Sequence, residues 1–120
     1  MKYLMLLRSN RSAFEALSPE DMRAAMEFFD NLQQETVASG ELVDTAGLAD
    51  PSQARTVRGQ GGAAEVTDGP FAESKEVLAS YAVYDVDTHE RAMELAERVA
   101  TATAGVVEVW PIMELGGPEM

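Results

Sequence analysis

The chain contains no cysteine and a single histidine. Without thiols there is no disulfide framework, no thiolate nucleophile and no cysteine metal site. Basic residues are scarce: nine Lys and Arg stand against 21 Asp and Glu, for a formal net charge of −12. The basic residues are scattered, and even the closest, such as Arg55 and Arg58, make only pairs. A surface of this sign repels phosphate backbones and anionic lipid, which excludes nucleic acid and membrane as expected partners. Long apolar runs are also missing. The stretch near the start, Tyr3 to Leu7, ends at Arg8 and is too short for a signal-peptide core or a membrane span. The expected compartment is therefore the cytoplasm. No acidic spacing matches a known magnesium or calcium loop, and no metal or cofactor is expected.

What remains is an ordinary globular composition, 46% hydrophobic and 25% charged over 120 residues. It suits one domain, residues 1–120, with a modest core. Lys2 to Arg8 reads as a strand with apolar residues on both faces, Tyr3, Met5 and Leu7 on one and Leu4 and Leu6 on the other. Ser18-Pro19-Glu20-Asp21 is a helix start: a capping hydroxyl, a proline at the first helical position and two acids at the positive dipole end. Met22, Ala25, Met26, Phe29, Leu32, Thr36 and Val37 recur at helical spacing, which predicts a helix over Pro19 to Ser39 closed by Gly40.

Glu41 to Leu48 reads as a second strand and Val77 to Val86 as a third, apolar on both faces. Strict alternation places Val77, Ala79, Tyr81 and Val83 on one face and Leu78, Ala82, Tyr84 and Val86 on the other. Asp87, with Glu90 three residues on, predicts the start of a second long helix. Ala92, Met93, Ala96, Val99 and Ala100 form its inner stripe, and Glu94 with Arg98 an outer pair. Val106 to Met113 reads as the last strand, with Pro111 arguing that its end lies at a sheet edge or a bulge. The order βαββαβ predicts an α+β, ferredoxin-like fold. Two helices cover one face of a four-stranded sheet. The other face, also apolar, calls for a second copy of the chain, so a homodimer packed through its sheets is expected.

Ala49 to Glu76 is long for a connection in a small domain, and such connections often carry function. Ala54 to Arg58 and Ala64 to Thr67 read as an extra hairpin between the second and third long strands, with Gly59-Gln60-Gly61-Gly62 at its tip. The glycines are a turn and not a phosphate loop, because no Walker lysine and hydroxyl follow. Asp68-Gly69-Pro70 is strong turn chemistry, followed by Phe71 and by Glu73, Lys75 and Glu76. Desolvation beside Phe71 would suit Asp68 or Glu73 to proton transfer.

The opening Lys2-Tyr3-Leu4-Met5-Leu6-Leu7, the block Asp68 to Glu76 and the closing Val107-Glu108-Val109-Trp110-Pro111-Ile112-Met113-Glu114 resemble the DGPF subgroup of the YCII-related proteins over nearly the whole chain. The resemblance implies a ferredoxin-like fold, a dimer of the dimeric α/β-barrel type and a functional link to extracytoplasmic-function sigma factors. Some YCII-related relatives are lyases acting on small chlorinated ring-cleavage acids, for which a histidine–aspartate pair has been proposed. The single histidine here, His89, falls in the first turn of the second helix, away from the Asp68 block, and reads as a solvated helix-end residue.

Two functional classes follow. One is a small-molecule-binding or regulatory dimer whose Asp68 turn is scaffold. The other is a cofactor-independent lyase, isomerase or hydrolase on a small organic acid, with Asp68 and Glu73 handling protons. The ligand-binding candidates are Arg8 and Lys75 as anion partners, Gly69, Pro70 and Phe71 as the turn and its apolar plug, Tyr81 as a hydroxyl on the sheet face, and Trp110 as a wall.

Overall fold

The computed structural model describes residues 1–70 and 76–114. The elements are β1 (Lys2–Asn10), α1 (Arg11–Glu15), α2 (Pro19–Ala38), β2 (Leu42–Gly47), β3 (Arg55–Gln60), β4 (Ala63–Asp68), β5 (Glu76–Asp85), α3 (His89–Thr103) and β6 (Val106–Pro111), with a 3₁₀ turn at Pro51–Gln53. The main sheet runs β2-β5-β1-β6, and β1 pairs antiparallel with both β5 and β6, as β2 does with β5. Each βαβ half is thus split by a strand of the other, which is the ferredoxin-like topology of an α+β fold. The doubly apolar strands β1 and β5 are central. The proline-bearing strand β6 is an edge, one of the two placements Pro111 allows.

Ser18 caps α2 by accepting from the Asp21 amide, and Gly40 follows the helix at φ +78°. Thr88, and not Asp87, caps α3 by accepting from the Arg91 amide. The five-residue helix α1, capped by Asn10, was not anticipated. The core lies between the helices and one sheet face: Tyr3, Met5, Leu7, Tyr84 and Val86 meet Leu32 of α2 and Ala92, Leu95, Ala96 and Val99 of α3. Leu95, fully buried, replaces Met93 in the inner stripe of α3, Met93 being 36% exposed. On α2 only Leu32 and Thr36 are buried, and Met26, Phe29 and Val37 face solvent. The helix leans toward its Phe28–Leu32–Thr36 edge, so the wider apolar stripe is only partly used. Thr36 is satisfied because its hydroxyl donates to the Leu32 carbonyl at 2.8 Å.

Electrostatics tie the helices together. Arg98 donates to both carboxylate oxygens of Glu35 at 2.8 and 3.0 Å, and Arg91 donates to both oxygens of Glu41 at 2.9 Å. The expected outer pair Glu94–Arg98 gives way to these contacts, and Glu94 pairs with Arg91 at 2.8 Å.

The hairpin β3–β4 closes on Gly61 and Gly62 at φ +55° and +85°, with Gln60 opposite Ala63. Two successive positive φ values are the two-residue turn whose twist matches the strands.

Candidate functional site

Residues directly opposite across paired strands share a face of the sheet. Tyr3, Met5 and Leu7 face the helices, so Leu4, Leu6 and Arg8 face away. Leu4 lies opposite Val83 on one side and Trp110 on the other, and Leu6 lies opposite Tyr81 and Glu108. Beyond them, Asp44 pairs with Val83 and Ala46 with Tyr81. The result is a grid of two rows, Asp44–Val83–Leu4–Trp110 and Ala46–Tyr81–Leu6–Glu108. A third row follows at the end of β1. The register slips between Leu7 and Arg8, so that Arg8 stands opposite Leu78, with Val106 on its other side. The residue skipped is Ala79, and this bulge moves Leu78 to the face of Arg8, where strict alternation expected Val77 and Ala79.

No element of the chain covers this face among the described residues. Its floor is apolar: Leu4, Leu6, Val83 and Ala46 are partly exposed, and Trp110 is 56% exposed. Two polar pairs border it. The Tyr81 hydroxyl donates to Asp44 Oδ2 at 2.7 Å. That bond to a carboxylate is the main cause holding the Tyr81 phenol above its usual range, so the proton stays on the ring oxygen. On the opposite flank Arg8 Nε lies 3.6 Å from Glu108 Oε1. Such a floor can hold a flat organic molecule, with a guanidinium for an anion on one flank and a hydroxyl–carboxylate pair on the other.

Arg8, Tyr81 and Trp110 are thus brought to one face. Asp44 and Glu108 complete it and were missed, because only the strand register puts them beside Tyr81 and Arg8. Asp68 is the last residue of β4, its side chain is 91% exposed, and it pairs with Arg55 Nε at 3.1 Å. Gly69, at φ +87°, turns the chain out of β4. Its amide donates to the Ala54 carbonyl and its carbonyl accepts from the Thr56 hydroxyl, both at 2.8 Å, and Pro70 follows, exposed. In this chain the Asp68–Pro70 turn closes the hairpin base and does not line the sheet face. Phe71, Glu73 and Lys75 lie outside the described residues. Ahead of the hairpin, Asp50 at the start of the 3₁₀ turn forms an ion pair with Arg11 at the start of α1 and accepts from the Ser52 amide at 2.8 Å. His89 is exposed at the start of α3, its ring 5.9 Å from that of Tyr3 on the helical side. Among the described residues no group of three or more His, Asp or Glu is placed to hold a metal ion, and no helix is long and apolar enough to cross a membrane.

An α+β protein of ferredoxin-like topology with one bare, apolar sheet face bordered by two polar pairs is the class this architecture defines. The chain belongs to the YCII-related domain family, whose model matches residues 1–116. It is 32% identical over 114 residues to an uncharacterised protein of Rhizobium meliloti (strain 1021), covering 93% of this chain and 92% of that one. Among solved structures it is similar to 5-chloro-2-hydroxyhydroquinone dehydrochlorinase from Burkholderia phenoliruptrix AC1100 in complex with 2,5-dihydroxybenzoquinone. That similarity has a TM-score of 0.44 and 12% identity and covers 92% of this chain and 94% of the enzyme.

Proposed function

We propose that the protein is a homodimer, sheet face against sheet face, that binds a small organic acid between the two sheets and serves as a binding or regulatory module of the DGPF type. The observation that carries this reading is the uncovered apolar face with Arg8 on its border. A second copy excludes water from Leu4, Leu6, Val83 and Trp110. In that drier setting the Arg8 guanidinium binds a carboxylate more strongly than it would in the open. Glu108 holds the guanidinium in place until a ligand anion competes for it.

The experiment is titration of the purified protein with a panel of small mono- and dicarboxylic acids, followed by calorimetry. Binding is expected for at least one acid and to weaken tenfold or more in Arg8→Ala. Equal affinity in the wild type and this variant would reject the assigned site.

A second reading is a cofactor-independent lyase, isomerase or hydrolase. The Tyr81–Asp44 hydrogen bond favours it, since a hydroxyl backed by a carboxylate can pass a proton to or from a bound acid. Asp68, exposed here, enters this reading only if a second subunit closes over it, and Glu73 lies outside the described residues. Turnover of a ring-cleavage acid that falls at least a hundredfold in both Tyr81→Phe and Asp44→Asn would establish the enzyme. Loss in Asp68→Asn with both of those variants active would return the chemistry to the turn.

A further inference from the structure

The β3–β4 hairpin stands apart from the body of the protein. Its strands pair with each other over six residues each and pack on no other element beyond stray contacts among the described residues. Every residue of β4 is exposed, and in β3 only Thr56 is partly covered. Yet the hairpin carries a cross-strand apolar pair, Val57 opposite Val66, exposed to 64% and 61%. A two-stranded hairpin in water is at best marginally stable without a third surface to pack on. This one is nonetheless tightly specified. Its tip is a two-glycine turn, and its base is held by the Gly69–Ala54 and Thr56–Gly69 hydrogen bonds and the Arg55–Asp68 pair.

The dimensions of the molecule say what the hairpin packs on. The chain measures 47 × 44 × 18 Å, only as thick as one sheet and one layer of helices. It exposes 8405 Å² of surface, against roughly 6,300 Å² for a compact monomer of 13.0 kDa, an excess of about 2,000 Å². Doubled across a pair, that excess is about 4,000 Å², within the range of obligate homodimers. The hairpin segment 54–69 carries Arg55, Arg58, Glu65 and Asp68 and is electrically neutral, in a chain of net charge −12. It is therefore a segment that can approach a second acidic copy without repulsion.

We infer that β3–β4 is an arm that packs its Val57–Val66 face against a second copy of this chain, adding an interface beyond the sheet faces. The inference rests on the proposed dimer. The Asp68–Pro70 turn then lies where the arm leaves one subunit for the other, and its surroundings are completed only in the pair.

The test uses the full chain in sedimentation equilibrium, with amide hydrogen exchange across residues 55–68. Val57→Lys combined with Val66→Glu keeps a favourable cross-strand pair and hence the hairpin. The dimer dissociation constant is expected to rise tenfold or more in this variant, with an unchanged circular dichroism spectrum. In the wild-type dimer the hairpin amides are expected to exchange at least tenfold more slowly than in Leu6→Lys, a variant that disrupts the sheet face. A variant that dimerises as tightly as the wild type, or hairpin amides that exchange as fast in the dimer as in the monomer, overturns the arm and leaves the sheet-face dimer standing. If Leu6→Lys stays dimeric and the hairpin variant becomes monomeric, the arm stands and the sheet-face contact falls. A wild type that is monomeric at high concentration removes both.

Discussion

Ala104 and Gly105 end α3 in an order that looks reversed. Ala104 adopts the left-handed conformation at φ 53° that glycine takes without strain, while Gly105 does not. The reason lies in the next strand over. A Cβ on Gly105 would sit 2.7 Å from the Arg8 carbonyl oxygen and 3.0 Å from Leu7 Cδ1. Glycine is required there by close approach of backbone, and Ala104 bears the strain of the turn. Ala104→Gly is expected to stabilise the protein by about 1 kcal/mol, since a left-handed L-residue costs about that much. Gly105→Ala is expected to destabilise it by about 1–3 kcal/mol, as overpacking against fixed backbone does. Urea denaturation of the two variants checks both signs; equal and small effects would mean the β1–α3 junction yields freely.

Between elements, the ion pairs on the helical side set a pH dependence. Arg98, then Arg91, holds the Glu35 carboxyl down to about 2 from its usual 4.5, and Arg91 with Ser39 lowers Glu41 in the same direction. Asp50 is held at about 2, chiefly by Arg11. Carboxyls depressed in the folded state contribute stability that is complete above their unfolded values and is lost as pH falls through the folded ones. The melting temperature is therefore expected to fall as pH is lowered from about 4.5 through about 2. The Glu35 and Asp50 pairs are open to solvent, so their contributions are modest and screened by salt, whereas the Arg91–Glu41 pair is half-buried and screened less. In Glu35→Gln the melting temperature is expected to lie a few degrees below wild type at neutral pH, the gap closing near pH 2. A gap that does not change with pH would show that Glu35 acts by packing alone. Beneath these pairs, Leu95 is fully buried against the sheet. Leu95→Ala is expected to cost about 2–5 kcal/mol by denaturant titration, because the rigid strands cannot close the cavity.

For the whole molecule, the single tryptophan tests the proposed sheet-face dimer. Trp110 lies on the bare face and is 56% exposed. Burial against a second sheet moves its indole into a less polar setting. Its fluorescence maximum is expected to shift to the blue as concentration rises through the dimer dissociation constant, and to stay red in Leu6→Lys. An emission maximum independent of concentration, in a protein that sedimentation shows to be dissociating, would place Trp110 outside the interface.

The element order and the topology were legible in the residues themselves. Ser18-Pro19-Glu20-Asp21 before an apolar run marks a helix start, and the alternation in Lys2–Arg8 and the valine and tyrosine of the third long strand announce central strands, because caps and periodicity act within a few residues. The glycine-tipped hairpin was legible for the same reason, but its turn is Gly61–Gly62 rather than Gly59–Gly62, because Gly59 and Gln60 pair with Ala64 and Ala63 and extend β3. The composition of the bare face was legible only in part. Arg8, Tyr81 and Trp110 were picked out by residue type, whereas Asp44 and Glu108 join them through strand register alone. Long-range packing also decided that Leu78 changes face at the Ala79 bulge, that Glu35 takes Arg98 from Glu94, and that Met26 and Phe29 are left to solvent. In each case the outcome depends on how two distant segments slide and cross, and no local pattern carries that displacement.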